Sequence, residues 1–265
     1  MSLVKAKKHL GQHFLTDKNI AEKIVNSLQA KDRYRQVLEV GPGMGILSDF
    51  LLGRDDLETY LIDIDTESYD FLKKKYPQLG NKLINGDFLE LDFKSIFPDK
   101  LAVIGNFPYN ISSQILFKVL DNRDQIVEVV GMFQKEVAER CAEKPGSKEY
   151  GILSVFLQTY YKVEYLFSVK PGVFNPPPKV TSAVIRLIRN DVDRLDCDEK
   201  LFWQVVKAGF NQRRKTLRNA LSALIPKDAS SQDPVFDLRA ERLSVSDFVK
   251  LTNLVSSFRS TSNVE

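Results

Sequence analysis

The chain has 265 residues, a 43% apolar fraction and a formal charge of +3, which suits one large domain, or a medium domain with a small one, and excludes a disordered polyelectrolyte. Two cysteines far apart in sequence and two histidines lack the spacing of a zinc site, so no metal is expected. No apolar run reaches membrane-spanning length and no apolar core follows the N-terminal bases, so a soluble, cytoplasmic protein without membrane contact is expected, with a monomer as the default.

Along the chain, a small basic cluster comes first, Lys5, Lys7 and Lys8. Buried strands are then predicted at "QVLEVG" (36–41), "TYLIDID" (59–65), "KLINGD" (82–87), "LAVIGN" (101–106) and "IVEVVGMF" (126–133). Between them "ILSDFLLGR" (46–54), "ESYDFLKKKY" (67–76) and "SQILFKVLDN" (113–122) repeat apolar residues at three- and four-residue spacing, as helices packed on a sheet do. This alternation predicts an α/β fold with a mostly parallel sheet covered on both faces. A helix within "EYGILSVFLQTYY" (149–161) precedes a closing strand pair, "KVEYLFSV" (162–169) and "SAVIRLI" (182–188). The intervening "PGVFNPPPKV" (171–180) is too rich in proline for a helix or a central strand.

Near Asn190 the character changes. "NDVDRLDCDEK" (190–200) is polar and acidic, and helical periods follow in "LFWQVVKAGF" (201–210), "RRKTLRNALSAL" (213–224) and "VSDFVKLTNLVSSF" (245–258). Domains at 1–190 and 191–265 are expected, with 1–18 as a segment lying over the first and the tail from 259 frayed. From Leu201 to Ile225 there are five bases (Lys207, Arg213, Arg214, Lys215, Arg218) and no acids. A local basic stripe on a near-neutral chain points to a polyanion-facing surface. Arg214 and Arg218, four apart, would share a helix face with Lys215 beside them. Trp203 and Phe210 fall at helical spacing and are expected in the core.

Chemistry concentrates at the strand ends. Gly41, Gly43 and Gly45 join the first strand to a helix start, and Asp63 ends the second strand twenty residues after Gly43. An acid at that spacing can accept from both ribose hydroxyls of an adenosine. The dinucleotide motif G-x-G-x-x-G/A is not matched: the third glycine is one residue early and Ile46 takes the small position. Glu39 before the loop suits a cationic ligand better than a phosphate. Asp87, after the third strand, can accept from an adenine amino group, and Phe88 can pack on the base. Together these favour S-adenosylmethionine over NAD.

The fourth strand breaks at "GNFPYN" (105–110), where an amide, Asn106, stands before two rings flanking a proline, Phe107 and Tyr109. Asn and Pro are ordinary turn residues. Beside a methyl-donor pocket, however, the Asn106 side-chain oxygen and the Pro108 carbonyl can act as paired acceptors for an amine, with Tyr109 as a platform for its base.

"GQHFL" (11–15), "EVGPGMG" (39–45), "NGDF" (85–88), "NFPYN" (106–110), "FNPPPKVTSAV" (174–184) and "FNQRRKTLRNAL" (210–221) occur in the order found in the KsgA-type small-subunit rRNA adenine dimethyltransferases, and the chain resembles that family from about Lys7 to Leu221. The resemblance implies a Rossmann-like methyltransferase fold of seven strands with a small helical domain. It also implies N6,N6-dimethylation of two adjacent adenosines in a hairpin near the 3′ end of 16S rRNA, within a 30S subunit or its precursor. By motif, His13 and Leu15 would line the cofactor pocket, Gly41 would sit under the methionine portion, Asp63 on the ribose, Asp87 by the adenine amino group and Asn106 between cofactor and target. Phe174 would be a second face for the target base, and Lys7, Lys8, Arg213, Arg214, Lys215 and Arg218 would track phosphates. Three positions depart from the family: His13 where Asn is more frequent, Asp63 where Glu is, and Phe107 where Leu is, the last expected to pack inward. Rival readings are a large-subunit rRNA adenine methylase, which "QRRKTLRN" argues against, an assembly factor without catalysis, and an NAD-dependent oxidoreductase.

Overall fold

The computed structural model describes residues 4–226 and 233–262. In chain order the strands are β1 (Phe14–Leu15), β2 (Gln36–Val40), β3 (Glu58–Asp63), β4 (Leu83–Asn85), β5 (Leu101–Asn106), β6 (Ile126–Gln134), β7 (Tyr161–Val169), β8 (Phe174–Asn175) and β9 (Ser182–Arg189). The helices are α1 (Lys18–Val25), α2 (Ile46–Leu51), α3 (Thr66–Lys75), α4 (Phe93–Ile96), α5 (Ser112–Asp121), α6 (Lys135–Ala142), α7 (Ile152–Tyr160), α8 (Glu199–Asn211), α9 (Leu217–Ala220) and α10 (Val245–Ser262). All seven strands expected from the sequence form, and they make one sheet in the order β4-β3-β2-β5-β6-β9-β7. The pairs from β4 to β6 are parallel, while β9 runs antiparallel to both β6 and β7. The fold is the mostly parallel, Rossmann-like methyltransferase architecture.

β2, β5 and β6 are buried nearly throughout because helices cover both faces. One core cluster gathers Val37, Ala102, Ile104, Val130 and Val184 from the sheet with Ala21, Ile24 and Val25 of α1 and Leu47 and Leu51 of α2. A second cluster, around Leu61, Leu72, Tyr76 and Leu83, seats α3 on β3 and β4. α1 and the short β1–β8 ribbon are not among the elements expected from the sequence. α1 is capped by Asp17, whose carboxylate accepts from the backbone N–H groups of Asn19 and Ile20. The ribbon pairs Phe14 with Asn175 and Leu15 with Phe174, so the proline-rich loop supplies an edge for the N-terminal segment.

Two compact units emerge, 1–139 with 161–190, and 140–160 with 191–265. The sequence boundary near Asn190 coincides with the second crossing, but 140–160, expected in the first domain, groups with the C-terminal helices. The physical reason is its apolar surface: within that second unit Phe156 of α7 lies 3.8 Å from the Trp203 ring and Tyr150 meets Phe210 at 6.0 Å. Phe210 is buried there, as expected. The basic stretch is not one helix. α8 stops at Asn211, residues 212–214 turn, and α9 begins only at Leu217. The break lets Leu217, Ala220 and Leu221 turn inward, so Arg214 and Arg218 do not share a helix face. α10 runs on through Ser262, and the rest of the expected frayed tail lies outside the described residues. No helix among the described residues is long and apolar enough to cross a membrane.

Candidate functional site

Parallel strands deliver their C-terminal ends to one edge of the sheet, where loops leave crevices. There the ends of β2, β3, β4 and β5 surround a cleft lined by Gly41, Gly43, Asp63, Asp87, Phe88, Asn106, Pro108 and Tyr109, and roofed by residues 10–14. A smaller cavity is lined by Glu39 and Leu15 and shares Phe14, Gly41 and Asn106 with the cleft. Ten of the residues singled out from the sequence thus line the larger space, His13 and Phe107 included, and Glu39 and Leu15 line the smaller one.

The glycine loop is shaped for close approach. Gly43 has φ +58°, and a Cβ built on it would stand 2.7 Å from the Phe14 ring. Only glycine satisfies both conditions. Its N–H donates to Asp63 Oδ2 at 3.2 Å, and the N–H of Asp65 donates to Oδ1 at 2.9 Å. Burial pushes the Asp63 carboxyl up to about 6 despite these two donors. Asp87 caps a short turn by accepting from Leu89 N–H at 2.8 Å. Phe88, beside it, is buried and packs edge-on against Phe93 at 5.7 Å.

Glu39 is 2% exposed. Ser48 Oγ donates to its Oε2 at 2.6 Å. Burial, with the charges of Asp63 and Asp49 adding, raises its carboxyl to about 8, and Lys75 only partly opposes this. A buried carboxyl with one hydroxyl partner is an incomplete site, stabilised further by a cation.

At the end of β5, Asn106 Nδ2 donates to the His13 backbone carbonyl at 2.8 Å. A carbonyl can only accept, so this bond sets the amide orientation and leaves Oδ1 as acceptor. The Pro108 carbonyl already accepts from Ile111 N–H and Ser112 Oγ, both at 3.3 Å, long contacts that leave it a weaker acceptor than Asn106. The Tyr109 hydroxyl is bonded to Ser182 Oγ, which anchors the ring. Phe107 is 1% exposed, its ring tilted against Phe133 at 5.0 Å, packed inward as expected. Phe174 is a correction: it is 4% exposed, opposite Leu15 in the ribbon and within the core cluster, and does not line the cleft.

The roof is tied down at several points. Lys7 Nζ meets Asp65 Oδ1 at 2.5 Å and Glu67 at 3.5 Å, and Gln12 Nε2 donates to Asp65 Oδ2 at 3.2 Å. Although burial pushes Asp65 up, these partners hold its carboxyl below the usual range. Lys7, expected on phosphates, is therefore engaged in holding the segment. Lys8 is exposed. In the other unit, Arg213 donates to the Ser147 carbonyl at 3.3 Å and lies 3.7 Å from Glu241, and Arg218 pairs with Asp237 at 2.5 Å. Arg214 and Lys215 are exposed. Sequence reasoning missed Ile64, which lines the cleft at 53% exposure. The available signal was an apolar residue directly after the strand-ending acid.

Comparison with known proteins gives a consistent picture. The model of the family described as ribosomal RNA adenine dimethylase matches residues 3–255. A protein of Cytophaga hutchinsonii named ribosomal RNA small subunit methyltransferase A is 60% identical over 256 residues, covering 97% of this chain and 99% of the relative. The crystal structure of a dimethyladenosine transferase from Plasmodium falciparum superposes with a TM-score of 0.77 at 28% identity, covering 94% of this chain and 98% of that one. The 23S rRNA methyltransferase ErmE shares the fold, with a TM-score of 0.66 at 24% identity over 92% of this chain and 99% of that one.

Proposed function

Because the chain belongs to the ribosomal RNA adenine dimethylase family, we propose that its cleft binds S-adenosylmethionine and presents it to two adjacent adenosines in the 3′-terminal hairpin of small-subunit rRNA. The chain is an rRNA adenine dimethyltransferase, and its role belongs to small-subunit biogenesis. The observation that carries the reading is the Asn106 amide, oriented by the His13 carbonyl, in the same cleft as Asp63 and Asp87.

The donor set fits the cofactor. Asp63 would take the ribose hydroxyls and Asp87 the adenine amino group, with Phe88 and Ile64 beside the base. Gly41 would lie under the methionine portion, and Glu39 would offset its positive charge from the smaller cavity. Leu15 and His13 would keep the N-terminal segment across the site. When bound, S-adenosylmethionine supplies an electrophilic methyl group on a good leaving group.

The protein's own task is to prepare the amine. The N6 lone pair of adenine is delocalised into the ring, so acceptors aimed at its two hydrogens draw the nitrogen toward tetrahedral geometry. Asn106 Oδ1 is the principal acceptor and the Pro108 carbonyl the second. This is positioning with electrostatic complementarity to the transition state. Tyr109 supports the base, which reaches the cleft only when looped out of its stack. Arg214 and Lys215 are the bases left for phosphates, with Lys8, while Arg213 and Arg218 would first have to exchange their carboxylate partners.

The test is incubation of the protein with methyl-labelled S-adenosylmethionine and undermethylated small subunits, followed by mapping of the label. Dimethylated adenosine in the 3′-terminal hairpin is the expected product. No label on adenosine, or label only on large-subunit RNA, overturns the reading.

A further inference from the structure

The third glycine of the loop, Gly45, makes way for a side chain from another helix. It has φ +81°, and a Cβ built on it would stand 2.6 Å from the Tyr76 hydroxyl oxygen. The missing side chain leaves room for a phenol arriving from the end of α3. The Tyr76 hydroxyl lies 2.9 Å from the Gly45 carbonyl and 2.5 Å from Asp49 Oδ1, so its one proton serves two acceptors. Lys75, the last residue of α3, places Nζ 3.2 Å from the Met44 carbonyl and 2.9 Å from Asp49 Oδ1.

These contacts reach the loop from outside its cavities. Tyr76, Lys75 and Asp49 line neither the cleft nor the smaller cavity, whereas Met44, which Lys75 holds, lines the smaller one with Glu39 and Gly41. Tyr76 is buried and packed with Leu61 and Leu72, so its hydroxyl is presented from a fixed base. Asp49 stands in the first turn of α2, next to Ser48, whose hydroxyl donates to Glu39. One cluster therefore grips two consecutive loop carbonyls and the helix turn that bonds Glu39. It also brings charge to that carboxyl. Burial raises Glu39 and Ser48 opposes this; Asp63 from β3 and Asp49 raise it further, and Lys75 opposes them. β5 contributes the uncharged Asn106 to the same cavity.

Resting on the cofactor-binding reading above, we infer that Tyr76, Lys75 and Asp49 are positioning residues for S-adenosylmethionine, gripping the glycine loop through the Met44 and Gly45 carbonyls and seating Ser48 against Glu39. A glycine-rich backbone has the most conformational freedom to lose when it closes on a ligand. Bonds to its carbonyls from a packed helix end fix that backbone before the cofactor arrives, so binding costs less ordering. The early third glycine, which breaks the dinucleotide motif, is the opening through which the phenol reaches the loop. No bond of the cluster goes to Asn106, Pro108 or Tyr109, so its effect falls on the cofactor and not on the target base.

The test uses full-length Tyr76→Phe, Lys75→Met and Asp49→Asn proteins. Calorimetric titration with S-adenosylmethionine across a pH series gives cofactor affinity, and KM for undermethylated small subunits is measured at saturating cofactor. Tyr76→Phe keeps the packed ring and loses only the hydroxyl. It is expected to weaken the cofactor by about three- to tenfold, the scale of one buried hydrogen bond, with the pH profile and the KM for subunits unmoved. The two charge variants shift the pH profile in opposite directions. Lys75→Met removes the cation that favours the Glu39 carboxylate and moves the rise in affinity to higher pH; Asp49→Asn removes an anion and moves it to lower pH. Damage to packing alone cannot produce opposite shifts. The inference fails if Tyr76→Phe binds the cofactor as wild type does, if its KM for subunits rises in parallel, or if the two charge variants leave the pH profile unmoved or shift it the same way. A wild-type protein that does not bind S-adenosylmethionine overturns the parent reading and this one together; a binding wild type with any of those results overturns this one alone.

Discussion

Two side chains at the strand ends carry opposite requirements. Asn106 works only if its oxygen is free and its direction fixed, and one bond from Nδ2 to the His13 carbonyl achieves both. Asn106→Ala removes the acceptor, and kcat is expected to fall about 10²-fold, the usual effect of deleting one pre-organised transition-state partner. Single-turnover methyl transfer measures it, and a near wild-type rate would refute the acceptor role. Glu39 is buried with no ion-pair partner among the described residues, and its carboxyl is raised to about 8. The folded protein therefore holds a proton that the unfolded chain has released, and stability from this group is present below the ordinary carboxyl range and lost as pH rises toward 8. Glu39→Gln should accordingly raise the melting temperature more at pH 8 than at pH 5. The same change should weaken S-adenosylmethionine, and wild-type affinity for that cationic ligand should rise with pH up to about 8 as the carboxylate forms. Calorimetry at several pH values tests both signs.

At the scale of elements, the turn after β5 depends on what β6 omits. Gly105 and Gly131 are direct partners across the β5–β6 pair. The Phe107 ring lies over both: a Cβ on Gly131 would come within 2.3 Å of it, and one on Gly105 within 3.0 Å. A larger ring where the resembled family more often has Leu is thus accommodated by two adjacent positions without side chains. Gly131→Ala should destabilise the protein by about 1–3 kcal/mol through overpacking. In a Phe107→Leu background the same substitution should cost less, because the added methyl no longer meets the Phe107 ring, although Phe133 remains at 2.6 Å. Urea unfolding of the two single variants and the double measures the coupling, and strict additivity would show that the ring and the glycine are independent.

For the whole molecule, the division of the basic residues decides how RNA would be held. Arg213 and Arg218 are ion-paired within the helical unit, whereas Arg214 and Lys215 are exposed. Exposed bases exchange counter-ions for phosphates, so each contributes to the salt dependence of binding. Changing Arg214 and Lys215 together to Glu should weaken binding to small subunits and flatten the slope of log affinity against log salt by about two phosphate contacts. Arg213→Ala should instead lower the melting temperature, since it strips the Ser147 carbonyl and Glu241 of their cation. Filter binding across a salt series, with thermal melts alongside, separates the two roles.

Local pattern by itself determined the seven strands of the main sheet, most helices, the glycine loop with Asp63, and the turn bearing Asn106. Those features depend on periodicity, on backbone freedom and on spacing along a short stretch, all of which are written in neighbouring residues. Only tertiary structure decided that Phe174 turns into the core, that Lys7 is spent on Asp65, that 140–160 groups with the C-terminal helices, and that the basic stretch breaks before Leu217. Each of these outcomes depends on a partner far away in sequence: Leu15 opposite Phe174, Trp203 against Phe156, Asp65 paired with Lys7. A side chain's type declares what it can bond or bury, but which partner it meets is settled by the competition among all distant contacts at once.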